Sequence, residues 1–241
     1  ATKVHAPTAN YPDDPNAAGN SRRHIMNEVE QSLRRLQTET IDLYQLHRPQ
    51  ASVPIDETLR ALDDLVRQGK VRYIGTSEFP AWQLVESLWA AKELGLNRFV
   101  SEQMEYSILK REPEKYVMPM AEKYGFGLLP WSPLAGGILT GKYREQNPAK
   151  DSRQSFAAWK EWAQGMERPY QDAVLDVLAA IAAEKEVTIS QVALAWTLRQ
   201  KAVAATIIGP RTMAQYEDNF GALAVEMSEA EYGRINEAAP L

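Results

Sequence analysis

The sequence predicts an α/β protein with a parallel sheet, and of the two architectures open to such a sheet it points to the (β/α) barrel. Three observations carry that expectation. Short apolar runs suited to strands alternate along the chain with amphipathic runs suited to helices, the order of a parallel sheet with crossover connections. An open dinucleotide-binding sheet would carry G-x-G-x-x-G after its first strand, and that motif does not occur. The strand ends are instead chemically loaded, reading Lys3, His47, Thr76-Ser77, Gln103, Trp131-Ser132 and Gly209 to Arg211 in turn. A barrel gathers its functional residues at that end of its strands.

The elements follow in order. "ATKV" opens the chain as a strand, and a helix follows Ser21, its expected N-cap, with Ile25, Met26, Val29, Leu33 and Leu36 at helical spacing. "IDLYQLH" is a short apolar run of the kind found in buried strands. "DETLRALDDLVRQG" places Leu59, Leu62, Leu65 and Val66 on one helix face and ends at Gly69. "KVRYIGTS" is a strand and a turn, Pro80 to Leu94 a helix stopped by Gly95, and "RFVSEQ" a strand. A helix from Pro113 to Tyr124 leads into the strand "FGLLPWS". Beyond a long connection come helices from Tyr170 to Lys185 and Ser190 to Gln200, a strand "AVAATIIG", a helix from Arg211 or Thr212, and a last helix after Ser228. Six of the eight βα units of a full barrel are thus expected.

A chain of 241 residues, 44% hydrophobic, can bury one large core, and residues 1–241 read as a single domain. A net charge of −5 with the two signs interspersed argues against nucleic acid or an anionic membrane surface as partner. The absence of cysteine excludes disulfides, thiolate catalysis and cysteine-ligated zinc. No apolar run approaches the roughly 20 residues that span a bilayer, and the N-terminus lacks a signal peptide's apolar core. A cytoplasmic protein is expected. Whether it assembles with copies of itself is left open.

"PLAGGILTGKY" raises the question of chemistry. Gly136, Gly141 and Lys142 fit the G-x-x-x-x-G-K of a P-loop, but Tyr143 stands where a Ser or Thr hydroxyl should meet magnesium. "REQNPAKDSRQS", which follows, is also a poor helix start. A nucleoside-triphosphatase is therefore disfavoured, which leaves a glycine turn with a solvated lysine or a phosphate cradle of another kind.

Five segments in order, "IDLYQLHRPQ", "GKVRYIGTSEF", "SEQMEYSIL", "WSPLAGGILTGKY" and "IIGPRTMAQYEDNFGAL", carry a resemblance to the aldo-keto reductases over essentially the whole chain. The chain is similar to the branch that includes aryl-alcohol dehydrogenase-like enzymes, aflatoxin-aldehyde reductases and potassium-channel β-subunits. The resemblance implies NADP(H) as cofactor and a small carbonyl compound as substrate, with no metal. It makes Trp131, Ser132, Leu134, Gly136 and Lys142 the pyrophosphate and nicotinamide side of a dinucleotide cradle, with the pyrophosphate held through backbone groups and a basic side chain. Gly209, Arg211, Gln215, Asp218 and Asn219 would surround the adenosine 2′-phosphate and adenine. A guanidinium near a helix N-terminus suits a phosphate monoester on physical grounds too. Ser77 and Gln103 match the residues that hold the nicotinamide carboxamide. Glu78 departs from the pattern, because an Asn often follows that Ser.

For catalysis the family uses a Tyr acid with Lys, His and Asp around it, and Lys3 and His47 match the Lys and His. They end consecutive strands, which a parallel sheet sets about 5 Å apart. The resemblance gives Lys3 the role of lowering the acid's pKa and neutral His47 that of orienting the carbonyl oxygen. His47 favours an enzyme over a regulatory subunit, since the channel subunits carry Asn there. The Tyr and Asp belong to βα units preceding the third strand, where this chain starts, and Tyr11 does not match the acid motif. The expectation is a fragment or processed form whose activity alone is impaired. His5 and His24 read as surface residues of a loop and a helix. Phe156, Trp159 and Trp162 suggest an aromatic specificity wall in the long connection.

Overall fold

In the computed structural model the described residues are 1–7, 14, 16–144 and 169–241. Tyr11 and the aromatic wall residues Phe156, Trp159 and Trp162 lie outside them. The chain forms two compact units, Ala1–Met104 with Met120–Leu128, and Glu105–Pro119 with Leu129–Leu241.

The first unit holds a sheet of strands β1 (Thr2–Val4), β2 (Ile41–Leu46), β3 (Val71–Ser77), β4 (Ser101–Gln103) and β5 (Gly127–Leu128). Their spatial order is β1-β2-β3-β4-β5, every neighbouring pair parallel. That order decides the architecture. A doubly wound sheet reverses direction at a switch point, whereas strands laid down in sequence by right-handed crossovers put all their helices on one side. The fold is α/β with the strand order of a (β/α) barrel wall.

Helices α1 (Arg22–Leu36), α2 (Ile55–Arg67) and α3 (Ala81–Leu94) connect these strands, and each packs beside the next. The Ser21 hydroxyl accepts from the His24 N–H to cap α1, and Gly95 ends α3 in the left-handed conformation that glycine adopts without penalty. Of the apolar stripes read from the sequence, Ile25, Val29 and Leu33 on α1 and Leu59, Leu62 and Leu65 on α2 are buried, Met26 and Val66 are half-buried, and Leu36, in the last turn of α1, is exposed. One expectation is corrected. His24 is 2% exposed, facing inward beside Ile25, with Nε2 lacking a hydrogen-bond partner. Burial depresses its pKa, which keeps the ring neutral.

Helix α4 (Pro113–Tyr124) lies in sequence between β4 and β5. The second unit adds α5 (Gln171–Lys185), α6 (Ile189–Leu198), α7 (Met213–Phe220) and α8 (Glu229–Ala238). Capping boxes start α6 at Thr188 and α8 at Ser228, each satisfying two otherwise orphaned backbone donors. The second unit's buried side chains include Val174, Leu178, Ile181, Val192 and Leu194, and Trp196, which is stacked between Tyr106 and Tyr232.

The strand expected over residues 202–209 does not form a ladder. Ile207 makes a single parallel bridge to Trp131, its N–H donating to the Pro130 carbonyl at 2.8 Å, and Trp131 makes another to Glu105. Pro130, Pro133 and Pro210 bracket these bridges, and proline has no N–H with which to extend a ladder.

Candidate cofactor and active site

The singled-out residues fall in both units. In the first unit the sheet register aligns four strand ends into one rim. Lys3 pairs with Gln45, Leu46 with Thr76, and Ser77 with Gln103. The His47 N–H, one residue past β2, donates to the Val4 carbonyl at 2.9 Å. Lys3, His47, Ser77 and Gln103 thus sit at the same end of neighbouring strands, Ser77 and Gln103 buried and His47 exposed. The ladder sets the alignment of these strand ends.

The rim is rich in positive charge. Burial first, and then Arg48, lower the pKa of Lys3. Burial, then Arg48, Lys3 and His5, depress that of His47, so its imidazole is neutral at pH 7 and can offer one N–H and one lone pair. Arg48 Nη1 lies 4.0 Å from Glu78 Oε1. His5 Nδ1 lies 2.9 Å from Asn20 Oδ1, and Asn20 Nδ2 donates to the Arg48 carbonyl at 2.9 Å, which ties the loop after β1 to the loop after β2. Glu78 occupies the left-handed region with φ 60°, and its N–H donates to the Gln103 carbonyl at 3.0 Å. Asn tolerates that backbone geometry better than Glu, which gives a physical reason for the Asn otherwise favoured there.

In the second unit one cavity of about 620 Å³ brings together all the residues expected there. Trp131, Ser132, Leu134, Gly136 and Lys142 line it from one segment, and Gly209, Arg211, Gln215, Asp218 and Asn219 from the other. Such a volume is in the range of small-molecule and cofactor sites. The first wall is a 3-10 segment, Ala135–Thr140, preceded by Ser132 at φ 57° and containing Gly136 and Gly137 at φ 64° and 103°. Its amides are turned inward: the Ala135 N–H donates to the Ser132 carbonyl at 2.8 Å, the Gly136 N–H to Ser132 Oγ at 3.2 Å, and the Gly137 N–H to the Leu134 carbonyl at 2.9 Å.

That arrangement settles the P-loop question. In a P-loop the glycine amides face the phosphates, whereas here the amides of residues 135 to 137 hold the loop's own shape, so the backbone groups expected to meet a pyrophosphate are engaged within the loop at these three positions. Lys142 remains as the loop's cationic side chain on the cavity wall. Gly137 lies beside it: its φ of 103° favours glycine, and a Cβ there would lie 3.0 Å from Lys142 Cε and 3.1 Å from Nζ, so the lysine side chain would have to shift.

The other wall is the start of α7. The Thr212 hydroxyl accepts from the Gln215 N–H at 3.2 Å, and Gln215 Oε1 accepts from the Arg211 N–H at 2.8 Å. This reciprocal cap fixes Arg211 next to a helix N-terminus, where the helix dipole and the guanidinium favour an anion together. Asp218 is committed elsewhere in the same unit, its carboxylate accepting from Gln191 Nε2 at 3.2 Å and Thr188 Oγ1 at 3.3 Å. Those bonds draw its negative charge toward α6.

Sequence reasoning missed several residues. Ser190, Gly137 and Thr140 also line the cavity. The T-x-x-Q capping box at Thr188 was a readable signal that a helix starts beside Ser190, whereas nothing in the sequence indicated that this start faces the cavity. Glu102, fully buried beside the rim, was also passed over.

Parallel strands in sequential order give the first unit the arrangement of a (β/α) barrel wall. The chain belongs to the aldo/keto reductase family, whose model matches residues 1–240. It is 36% identical over its whole length to "Uncharacterized oxidoreductase YrpG" of Bacillus subtilis, of which it spans 71%. It is 39% identical over 215 residues to "Probable voltage-gated potassium channel subunit beta" of Arabidopsis thaliana, covering 88% of this chain and 65% of that protein. To "Putative aryl-alcohol dehydrogenase AAD16" of Saccharomyces cerevisiae it is 35% identical over 225 residues, covering 93% of this chain and 64% of that protein. The chain thus spans about two thirds of the length of these relatives. Among the described residues no helix is long and apolar enough to cross a membrane, and no cluster of three or more His, Asp or Glu could hold a metal.

Proposed function

We propose that the chain binds NADP(H) and serves the reduction of aldehydes or ketones to alcohols. The observation that carries the reading is the second unit's cavity, which has a cation on each wall, Lys142 and Arg211, and all the residues the family pattern names there. The dinucleotide, when bound, supplies a hydride to the carbonyl carbon. The residues of the chain do the rest. Within the second unit Lys142 and Arg211 offer cations to phosphates and Trp131 a ring face for stacking; within the first, Ser77 and Gln103 are a donor–acceptor pair of the kind a carboxamide needs. At the rim, neutral His47 donates an N–H hydrogen bond to the substrate oxygen as negative charge grows there, the Lys3 ammonium stabilises that charge, and solvent water supplies the proton that completes the alcohol.

The family's acid Tyr and its Asp have no counterpart among the matched motifs, so turnover by these 241 residues is proposed to be slow. The test is loss of NADPH absorbance on adding a substituted benzaldehyde. Oxidation that depends on the aldehyde and disappears in His47→Ala supports the reading. Oxidation indifferent to both contradicts it. A second reading, an NADPH-holding regulatory subunit, draws on the similarity to the Arabidopsis protein named as a potassium channel subunit. NADPH binding without any aldehyde-dependent oxidation would favour it.

A further inference from the structure

We propose that Glu102 is a positioning residue for the carboxamide pair Ser77 and Gln103, holding from the opposite face of the sheet the turn that presents them. This rests on the NADP(H) reading above. Glu102 is fully buried on β4, one residue before Gln103. Strand alternation sends its side chain to the face opposite that of Gln103, and Thr76, its register partner, to the face opposite that of Ser77. On that hidden face Glu102 Oε2 accepts from the Thr76 hydroxyl and Oε1 accepts from the Phe79 N–H at 3.0 Å. On the backbone the Glu78 N–H donates to the Gln103 carbonyl.

The residues on both sides of the turn are thus tied to β4: Thr76 and Phe79 to the Glu102 carboxyl, Glu78 to the next carbonyl. The turn needs such ties, because Glu78 sits in the left-handed region at φ 60° and a non-glycine residue stays there only when its surroundings over-determine it. An apolar side chain at position 102 would fill the space but leave the Phe79 N–H and the Thr76 hydroxyl without this acceptor. The turn would then relax and Ser77 would drift from Gln103.

The experiment is a pair of binding titrations on the full 241-residue chain, with NADPH and with 2′,5′-ADP, which has the adenosine and 2′-phosphate but no nicotinamide. Glu102→Leu is expected to weaken NADPH by about tenfold, the scale of one or two lost polar contacts, and to leave 2′,5′-ADP unchanged. Glu102→Gln, which keeps one acceptor oxygen, should recover most of the NADPH affinity. Equal weakening of both ligands, or of neither, overturns the proposal. If Glu102→Leu does not fold by circular dichroism, Thr76→Val carries the test, and unchanged discrimination between the two ligands in that variant overturns it. Failure of the unmodified chain to bind either ligand overturns instead the NADP(H) reading on which the proposal stands.

Discussion

At the rim of the first unit, Lys3, His47, Ser77 and Gln103 are placed by ladder register, with each strand fixing the next. In the cavity of the second unit, Ser132, Gly136 and Lys142 are placed by a loop that bonds to itself, and Arg211 by a capped helix start. The ladder aligns the strand ends, while the turn after Ser77 also leans on the Glu102 side chain. The cavity wall is sensitive in its backbone, because its shape depends on positive-φ positions. Mutation should separate the two: changes at Lys3 or His47 ought to change turnover with little effect on cofactor affinity, and wall substitutions the reverse.

The largest effect expected on this view is at the rim. His47→Ala removes the hydrogen bond to the substrate oxygen and should lower aldehyde-dependent turnover by about 10²-fold, the low end for a general acid–base or oxyanion-stabilising group. Its NADPH dissociation constant should stay within about twofold, which is well under 1 kcal/mol. A matching loss of cofactor affinity, measured by fluorescence titration, would erase the distinction between the regions. Next comes the wall: Gly137→Ala has to adopt φ 103° and displace Lys142, and should weaken NADPH by roughly tenfold or more. Gly69→Ala is the control, since it also has positive φ, at 73°, but meets nothing within 4 Å. It should cost stability and spare binding.

A smaller effect concerns the rim's hidden support. Burial pushes the Glu102 carboxyl up to about 8, with nearby Glu78 adding in the same direction against the hydrogen bonds from Thr76 and Phe79. The folded state then holds a proton that the unfolded chain releases near its ordinary value of 4.5. The stabilisation this gives is complete below that value and is lost as pH rises through about 8. Melting temperature should accordingly fall across that window by at least a few degrees, at roughly 2–4 °C per kcal/mol for a chain of this size. Glu102→Gln, which does not titrate, should flatten the slope. An equal slope in both proteins would mean that other groups set it.

How much the sequence disclosed follows the same division. The rim was legible because strand ends are marked by where an apolar run stops, and His47 and Ser77 stand where "YQL" and "YIG" give way to polar residues. Glu102 was not, because an acidic residue in so short a strand resembles the solvent-facing half of an alternation, and only the paired sheet shows that it is enclosed. His24 misled for a related reason: it begins a helix face whose burial depends on what lies across from it. The cavity wall was legible as glycine and lysine spacing, but not its inward-turned amides, since φ values at Ser132 and Gly137 are set by tertiary closure of the loop. The expected strand before Gly209 shrank to a bridge because the nearby prolines weigh on ladder formation more than β-propensity does.

If the second unit's cavity takes the 2′-phosphate of NADP(H), as proposed, titration of the chain with NADPH and NADH, unmodified and with Arg211→Leu, will show it. The unmodified chain is expected to bind NADPH at least about tenfold more tightly than NADH, and Arg211→Leu to lose most of that preference while its NADH affinity is unchanged. Equal affinity for the two dinucleotides in the unmodified chain, or a preference that survives Arg211→Leu, would contradict it.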